Sequence, residues 1–173
     1  MKVVALLAGC ILTVTCVLYI VSNAVPSWAQ ISVGDNPISI GLWRQCESEL
    51  NVITCGSLGC PSENDIPGFC GRILASRAFM TLTCILSGFT TISLFICAFT
   101  DVGKNRILLL ITKALAFVCL IMGIIGVGVG GSIIEILGKV SGKPSLSAAS
   151  TLGIIAIIIN LVGAIVSLFI KQS

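Results

Sequence analysis

The hydrophobic positions of this chain gather into four long runs separated by polar segments of unequal length. The first, Val3 to Val25, carries no charge, and neither does the second, whose uncharged stretch runs from Ala78 to Phe99. A third extends from Ile107 to Leu137, interrupted only by Lys113 and Glu135, and a fourth from Ala148 to Ile170. About 20 helical residues cross a hydrocarbon core of roughly 30 Å, so each run predicts one transmembrane helix. At ~1.5 Å per residue the third would reach about 46 Å, which requires tilt or projection beyond the bilayer. The pattern predicts one domain over 1–173, with spans at 3–25, 76–99, 107–137 and 148–170. The connections are a long polar loop at 26–75, a turn at 100–106 and a short loop at 138–147.

Composition strengthens the membrane reading. With 56% hydrophobic and 10% charged residues and a mean hydropathy of +1.13, the chain is far from a soluble domain, where about 25% of residues are charged. The net charge of +3 is small and its basic residues are scattered, so no nucleic-acid partner and no polybasic lipid patch is expected. The chain has no histidine, which excludes histidine-dependent catalysis and the usual metal sites. No nucleophile lies beside a base and no phosphate loop is evident, so neither an enzyme nor a cofactor is expected. Met1-Lys2 before an apolar run resembles a secretory signal, and Leu7-Ala8-Gly9-Cys10 resembles a lipoprotein cleavage box. The apolar run before Cys10 is only seven residues and the stretch continues to Val25, the length of a span rather than of a signal.

The long loop holds the specific chemistry. Trp28 to Val33 alternates and predicts a strand, Gly34-Asp35-Asn36-Pro37 a turn, Ile38 to Cys46 a second strand and Asn51 to Leu58 a third. From Gly59 to Gly71 the composition predicts irregular structure. Lys and Arg do not orient the chain. With both termini cytoplasmic, Lys2, Lys104, Arg106, Lys113 and Lys171 stand inside against Arg44, Arg72, Arg77, Lys139 and Lys143 outside. Cysteine supplies the direction. Cys46, Cys55, Cys60 and Cys70 are an even set in a small polar segment, which reads as disulfides and places the loop outside the cell. Zinc is the competing reading of four such cysteines, but none of the pairs has the two-residue spacing of a zinc ribbon. A bridge between Cys46 and Cys55 would pin the register of the second and third strands, although four cysteines allow three connectivities. Cys10, Cys16, Cys84, Cys97 and Cys119 fall in the spans as small packing residues. Trp28 and Trp43 suit the membrane interface and predict an anchor for the base of the sheet, with Gly41 allowing a close backbone approach or a bend. Arg77 is placed to snorkel or to meet carbonyls beneath the sheet.

A Trp (Trp28), then Gly41-Leu42-Trp43, then Cys46 and Cys55, all in the first loop of a four-span protein, resembles the claudin superfamily. That superfamily embraces claudins, epithelial membrane and peripheral myelin proteins and the calcium-channel gamma subunits. Arg77 at the outer end of the second span adds to the likeness. Tetraspanins fit less well, since their large cysteine-rich loop is the second. The resemblance implies a left-handed four-helix transmembrane bundle with a small extracellular antiparallel β-sheet in the first loop, stapled by a Cys46–Cys55 disulfide. Cys60 and Cys70 are additional to the usual pair and suggest a second bridge. The sequence Phe169-Ile170-Lys171-Gln172-Ser173 lacks the terminal apolar residue that PDZ domains take, so direct PDZ-scaffold binding is not expected, and the chain holds no Asn-x-Ser/Thr sequon.

On the third span, Gly126 and Gly130 form a G-x-x-x-G with Gly123 nearby, which predicts close helix approach within the chain ahead of a dimer face. A nucleotide-loop reading of Gly126 to Gly131 has no accompanying strand or polar phosphate site. Lys113 is expected to snorkel towards the cytoplasmic surface, and Glu135 to mark the outer mouth of its helix. The expected function is cell-cell adhesion and a paracellular barrier or channel at the plasma membrane. Its partners would be the lipid bilayer and like subunits in cis and in trans, with an exposed sheet edge and the apolar tips Ile53 and Leu58 as contact surfaces. Glu47 and Glu49 are candidates for pore charge because the family places such charge just after its first cysteine. An accessory or trafficking subunit of an ion channel or another membrane protein is the alternative, using the glycine-lined third helix.

Overall fold

The computed structural model describes residues 2–33, 36–49, 52–60, 68–100, 106–141 and 144–170. Outside them lie part of the first expected turn with Asp35, the acidic residues Glu63 and Asp65, most of the turn after the second span with Lys104, and the tail 171–173. The elements in chain order are α1 (Lys2–Ala24), β1 (Ala29–Val33), β2 (Asn36–Ile40), β3 (Arg44–Glu49), β4 (Val52–Ser57), α2 (Phe69–Phe99), α3 (Arg106–Ser141), β5 (Ser145–Leu146) and α4 (Ala148–Leu168). All four helices are long and apolar enough to cross a membrane, and the five strands form one antiparallel sheet in the order β4-β3-β2-β1-β5.

Helices adjacent in sequence are adjacent in space, and α4 returns to α1 to close the ring. Small residues line much of the interior beside a few large ones such as Tyr19, Met80 and Leu94. Ala5, Ala8, Ala116, Ala149, Ala156 and Ala164 are buried, while Val14, Ile20, Phe89, Ile121, Ile158 and Leu168 face outwards. That is the inverse of a soluble bundle and the arrangement a bilayer favours, since lipid is as apolar as Leu and close backbone packing supplies the attraction. The interior also carries polar groups, most of them hydrogen-bonded within their own helices, as Thr15, Thr83, Thr90 and Thr112 are to carbonyls four residues back. Asn160, fully buried in α4, donates its Nδ2 to the Tyr19 hydroxyl at 3.3 Å. Lys113 reaches the last carbonyls of α4, donating to Ile170 O at 3.0 Å and Leu168 O at 3.3 Å, where a cation also complements the helix dipole.

Several boundaries differ from the sequence reading, each for a local reason. The expected second strand, Ile38 to Cys46, is two strands broken at Gly41–Trp43, because Gly41 donates its N–H to Arg44 O at 2.8 Å and closes a tight connection. Helix α2 starts at Phe69, not at 76, and the segment up to Gly71 is therefore not wholly irregular. Its extra turns are held beneath the sheet by Ile73, which packs with Ile31, Ile40, Ile133 and Leu137. Helix α3 continues to Ser141, and its 36 residues span about 54 Å at ~1.5 Å each, so it extends well past a hydrocarbon core. The loop between α3 and α4 adds the short strand β5 to the free side of β1 through Ala29↔Leu146 and Gln30↔Ser145.

Candidate functional site

The sheet is seated on the bundle by the residues singled out in the first loop. At the end of α1 the chain passes Pro26 and Ser27 into β1. Trp28 N–H bonds Ile40 O at 2.8 Å, its carbonyl accepts from Ser147 N at 3.2 Å, and Ser27 O accepts from Ala149 N at 2.9 Å. The last two bonds satisfy amides at the start of α4 that have no partner within their own helix. The Ser27 and Ser147 hydroxyls also bond each other. One short segment thus joins sheet, α1 and α4.

Trp28 anchors the base of the sheet from inside the protein, with its ring turned into the bundle and not outwards. It is 3% exposed, lies among Tyr19, Leu42, Met80, Val127 and Ala149, and donates its indole N–H to Ser22 O at 2.7 Å. Gly130 makes the room. A Cβ built there would lie 2.3 Å from Trp28 Cζ3 and 2.9 Å from the Ser76 hydroxyl. Gly126 is covered by Met80 and accepts from Ser76 Oγ at 2.9 Å, and Gly123 is covered by the Tyr19 ring. Gly123, Gly126 and Gly130 of α3 therefore serve contacts inside the chain. Gly41 has the same role at the sheet base, where a Cβ would stand 2.4 Å from Pro26 Cα.

Trp43 does sit at the edge. It is 45% exposed, and its indole N–H donates to Asn23 Oδ1 at 3.0 Å. Arg77 of α2 lies with its guanidinium carbon 5.0 Å from the Trp43 ring centroid, and donates from Nε to Leu42 O at 2.5 Å and from Nη2 to Leu58 O at 2.7 Å. One planar fork thus ties both ends of the β3–β4 hairpin to the second helix, which a Lys could not do with the same reach and stacking. Arg72, not singled out from the sequence, ties α2 to α3 by donating to Ser132 O at 2.8 Å. No sequence signal distinguished it beyond its place near Arg77.

Two disulfides complete the frame. Cys46 and Cys55 face each other in register across β3 and β4, bonded with Cα atoms 4.1 Å apart, and Cys60 is bonded to Cys70 in the first turn of α2. The segment after β4 is thereby fastened to the helix. Beyond the bundle, every position of β4 is exposed, and among the described residues β4 is an edge strand, paired with β3 alone. Ile53 is 71% exposed, whereas Leu58, expected as a second apolar tip, is half-buried against the cluster beneath the sheet, its N–H bonded to Trp43 O at 2.9 Å. Glu47 is exposed and pairs with Ile38 and Thr54. Directly opposed residues share a face, so Glu47 shares the face of Ile38 and Ile40, opposite to the Cys46–Cys55 bridge and Ile53. Glu49 belongs to β3 by its backbone, opposite Val52, and its side chain lies outside the described residues.

No known family model matches this chain, and no curated protein matches it.

Proposed function

We propose that this chain is a claudin-like, multi-pass protein of the plasma membrane that acts in cell-cell adhesion and a paracellular barrier or channel, without catalysis. The observation that carries the reading is β4: a strand pinned by a disulfide, exposed along its whole length and, among the described residues, open on its outer side. Unpaired strand edges recruit further strands, and this one stands on a sheet fastened to the bundle by Trp28, Gly41 and Arg77 and by the Cys60–Cys70 bridge. With both termini in the cytoplasm the sheet faces outwards, where its disulfides persist. Like subunits would associate side by side in one membrane and meet those of the apposed cell. A path along the Glu47 face would favour cations over anions.

The accessory-subunit reading keeps one structural support. Gly123, Gly126 and Gly130 are used within the chain, but Gly128 and Gly131 of α3 face open space, leaving a stretch where a foreign helix could approach closely. Expression in cells that lack junctions separates the two. Enrichment and strand formation at cell contacts supports adhesion. Copurification with one channel, without contact enrichment, supports the accessory role and refutes the first reading.

A further inference from the structure

Two open grooves flank Trp43 at the foot of the sheet. One, of about 540 Å³, lies between the end of α1 and β3–β4, lined by Ile20, Asn23, Ala24, Arg44, Cys55 and Cys84 along with Pro26 and Trp43. The other, of about 500 Å³, continues along α2 past Leu74, Ala78, Leu82 and Ile85, with Arg77 and Thr81. Both fall in the size range of small-molecule sites, roughly 300–1,000 Å³.

The first groove changes chemistry with depth. At its upper end are Arg44, Asn23 and the Trp43 indole, and at its lower end Ile20 and Cys84. Arg77, level with the sheet, and Cys84 are seven residues apart on α2, about 10 Å along a helix. The groove therefore runs from headgroup depth, where Trp is at home, into the hydrocarbon. Ile20, Ala24, Trp43 and Arg44 are all exposed, so it opens sideways, towards the surrounding lipid.

Arg44 completes the case. The Arg77 guanidinium is committed to Leu42 O, Leu58 O and the Trp43 ring. The exposed Arg44 guanidinium has no side-chain partner among the described residues, although the forked geometry of such a group matches a phosphate. A cation at headgroup level above an apolar cleft fits a molecule with a phosphodiester at one end and hydrocarbon at the other. We infer that this cleft is a specific site for one glycerophospholipid of the leaflet on which the sheet stands. Its phosphodiester would meet Arg44, its glycerol region would lie near Asn23, and one acyl chain would run down past Ile20 and Cys84. The second groove gives the other chain an apolar path on the far side of Trp43. The bound lipid would then be a wedge between α1 and the sheet, coupling the angle of the sheet to the composition of the leaflet.

Native mass spectrometry of the full chain, purified in detergent and supplied with palmitoyl-oleoyl phosphatidylcholine, tests this. One phosphatidylcholine should be retained per chain, and the matching diacylglycerol, which lacks the phosphate, at least ten-fold less. Ala24→Phe, which fills the cleft, and Arg44→Gln, on an exposed strand position where folding is undisturbed, should each lower retention several-fold. Ile158→Phe, on the lipid-facing side of α4, should leave it unchanged. Equal retention of diacylglycerol would mean ordinary surrounding lipid and would overturn the proposal. So would unchanged retention in Arg44→Gln, displacement of the lipid by inorganic phosphate alone, or a dimer that replaces the lipid-bound species and is lost in Arg44→Gln.

Discussion

Replacing Gly130 with Ala places one methyl against the buried indole of Trp28. The added Cβ would lie 2.3 Å from Trp28 Cζ3 and 2.9 Å from Cε3 and the Ser76 hydroxyl. Carbon atoms rest at about 3.5–4.0 Å, so ring or helix must move by roughly 1 Å or more. The ring has little freedom to do so, being 3% exposed and tied at its N–H to Ser22 O at 2.7 Å. Overpacking of this kind costs about 1–3 kcal/mol, and the confinement argues for the upper end. The better helix propensity of Ala returns up to about 1 kcal/mol, leaving a net loss of about 2 kcal/mol. Gly128→Ala is the internal control: nothing lies within 4 Å of its Cβ position, so only the propensity gain of at most about 1 kcal/mol remains. Unfolding in mixed micelles by added sodium dodecyl sulfate, followed by helical circular dichroism, should separate the two variants by about 2–3 kcal/mol. Trp28→Phe removes the atoms that clash, so its combination with Gly130→Ala should be less harmful than the sum of the two by about 1 kcal/mol or more. If Gly130→Ala is as stable as Gly128→Ala, the account of how the sheet is seated is wrong.

Arg77→Lys should cost about 1–3 kcal/mol in the same assay, because an ammonium cannot serve the Leu42 and Leu58 carbonyls and the Trp43 face together; a change within error would show that the fork carries no stability. Converting Cys46 and Cys55 together to Ser releases a loop of sequence separation 9, for which chain entropy predicts a loss of about 2–3 kcal/mol. Limited proteolysis should then cut the sheet while helical signal stays intact, and an equally resistant sheet would contradict this. Lys113→Met should lower stability by about 0.3–1 kcal/mol through the uncapped end of α4, read from the same unfolding midpoints. Replacing Glu47 and Glu49 with Lys should reverse the cation-to-anion permeability ratio of an expressing monolayer, and an unchanged ratio removes the pore role from that face.

The helices were readable because runs of Ile, Leu and Val have no other stable home, and their outer surfaces remain apolar in the structure. The early start of α2 was not, since Phe69 to Ala75 includes Arg72 and packs beneath a sheet rather than against lipid. Gly41 was recognised as a point of close approach, yet what it approaches is Pro26, fifteen residues earlier, and the Gly41–Arg44 bond that splits Ile38–Cys46 leaves no periodic signal. The burial of Trp28 inside the protein was hidden for a similar reason. Tryptophans near membrane ends are usually interfacial, and only the spatial pairing with Gly130, a hundred residues away, makes a slot for one indole. The two-residue β5 is too short to leave a periodic signal. The buried Asn160 drew no reading from the sequence, because its partner Tyr19 is set by helix packing.

In the proposed function the sheet is an outward platform through which copies of this chain on two cells meet. Two populations of junction-free cells, each expressing the chain with a different fluorescent label, are mixed with unlabelled cells that do not express it. Both labels should concentrate where one expressing cell touches another and should stay uniform where an expressing cell touches a non-expressing one. Uniform labelling at every contact, or equal enrichment against non-expressing cells, would contradict the account.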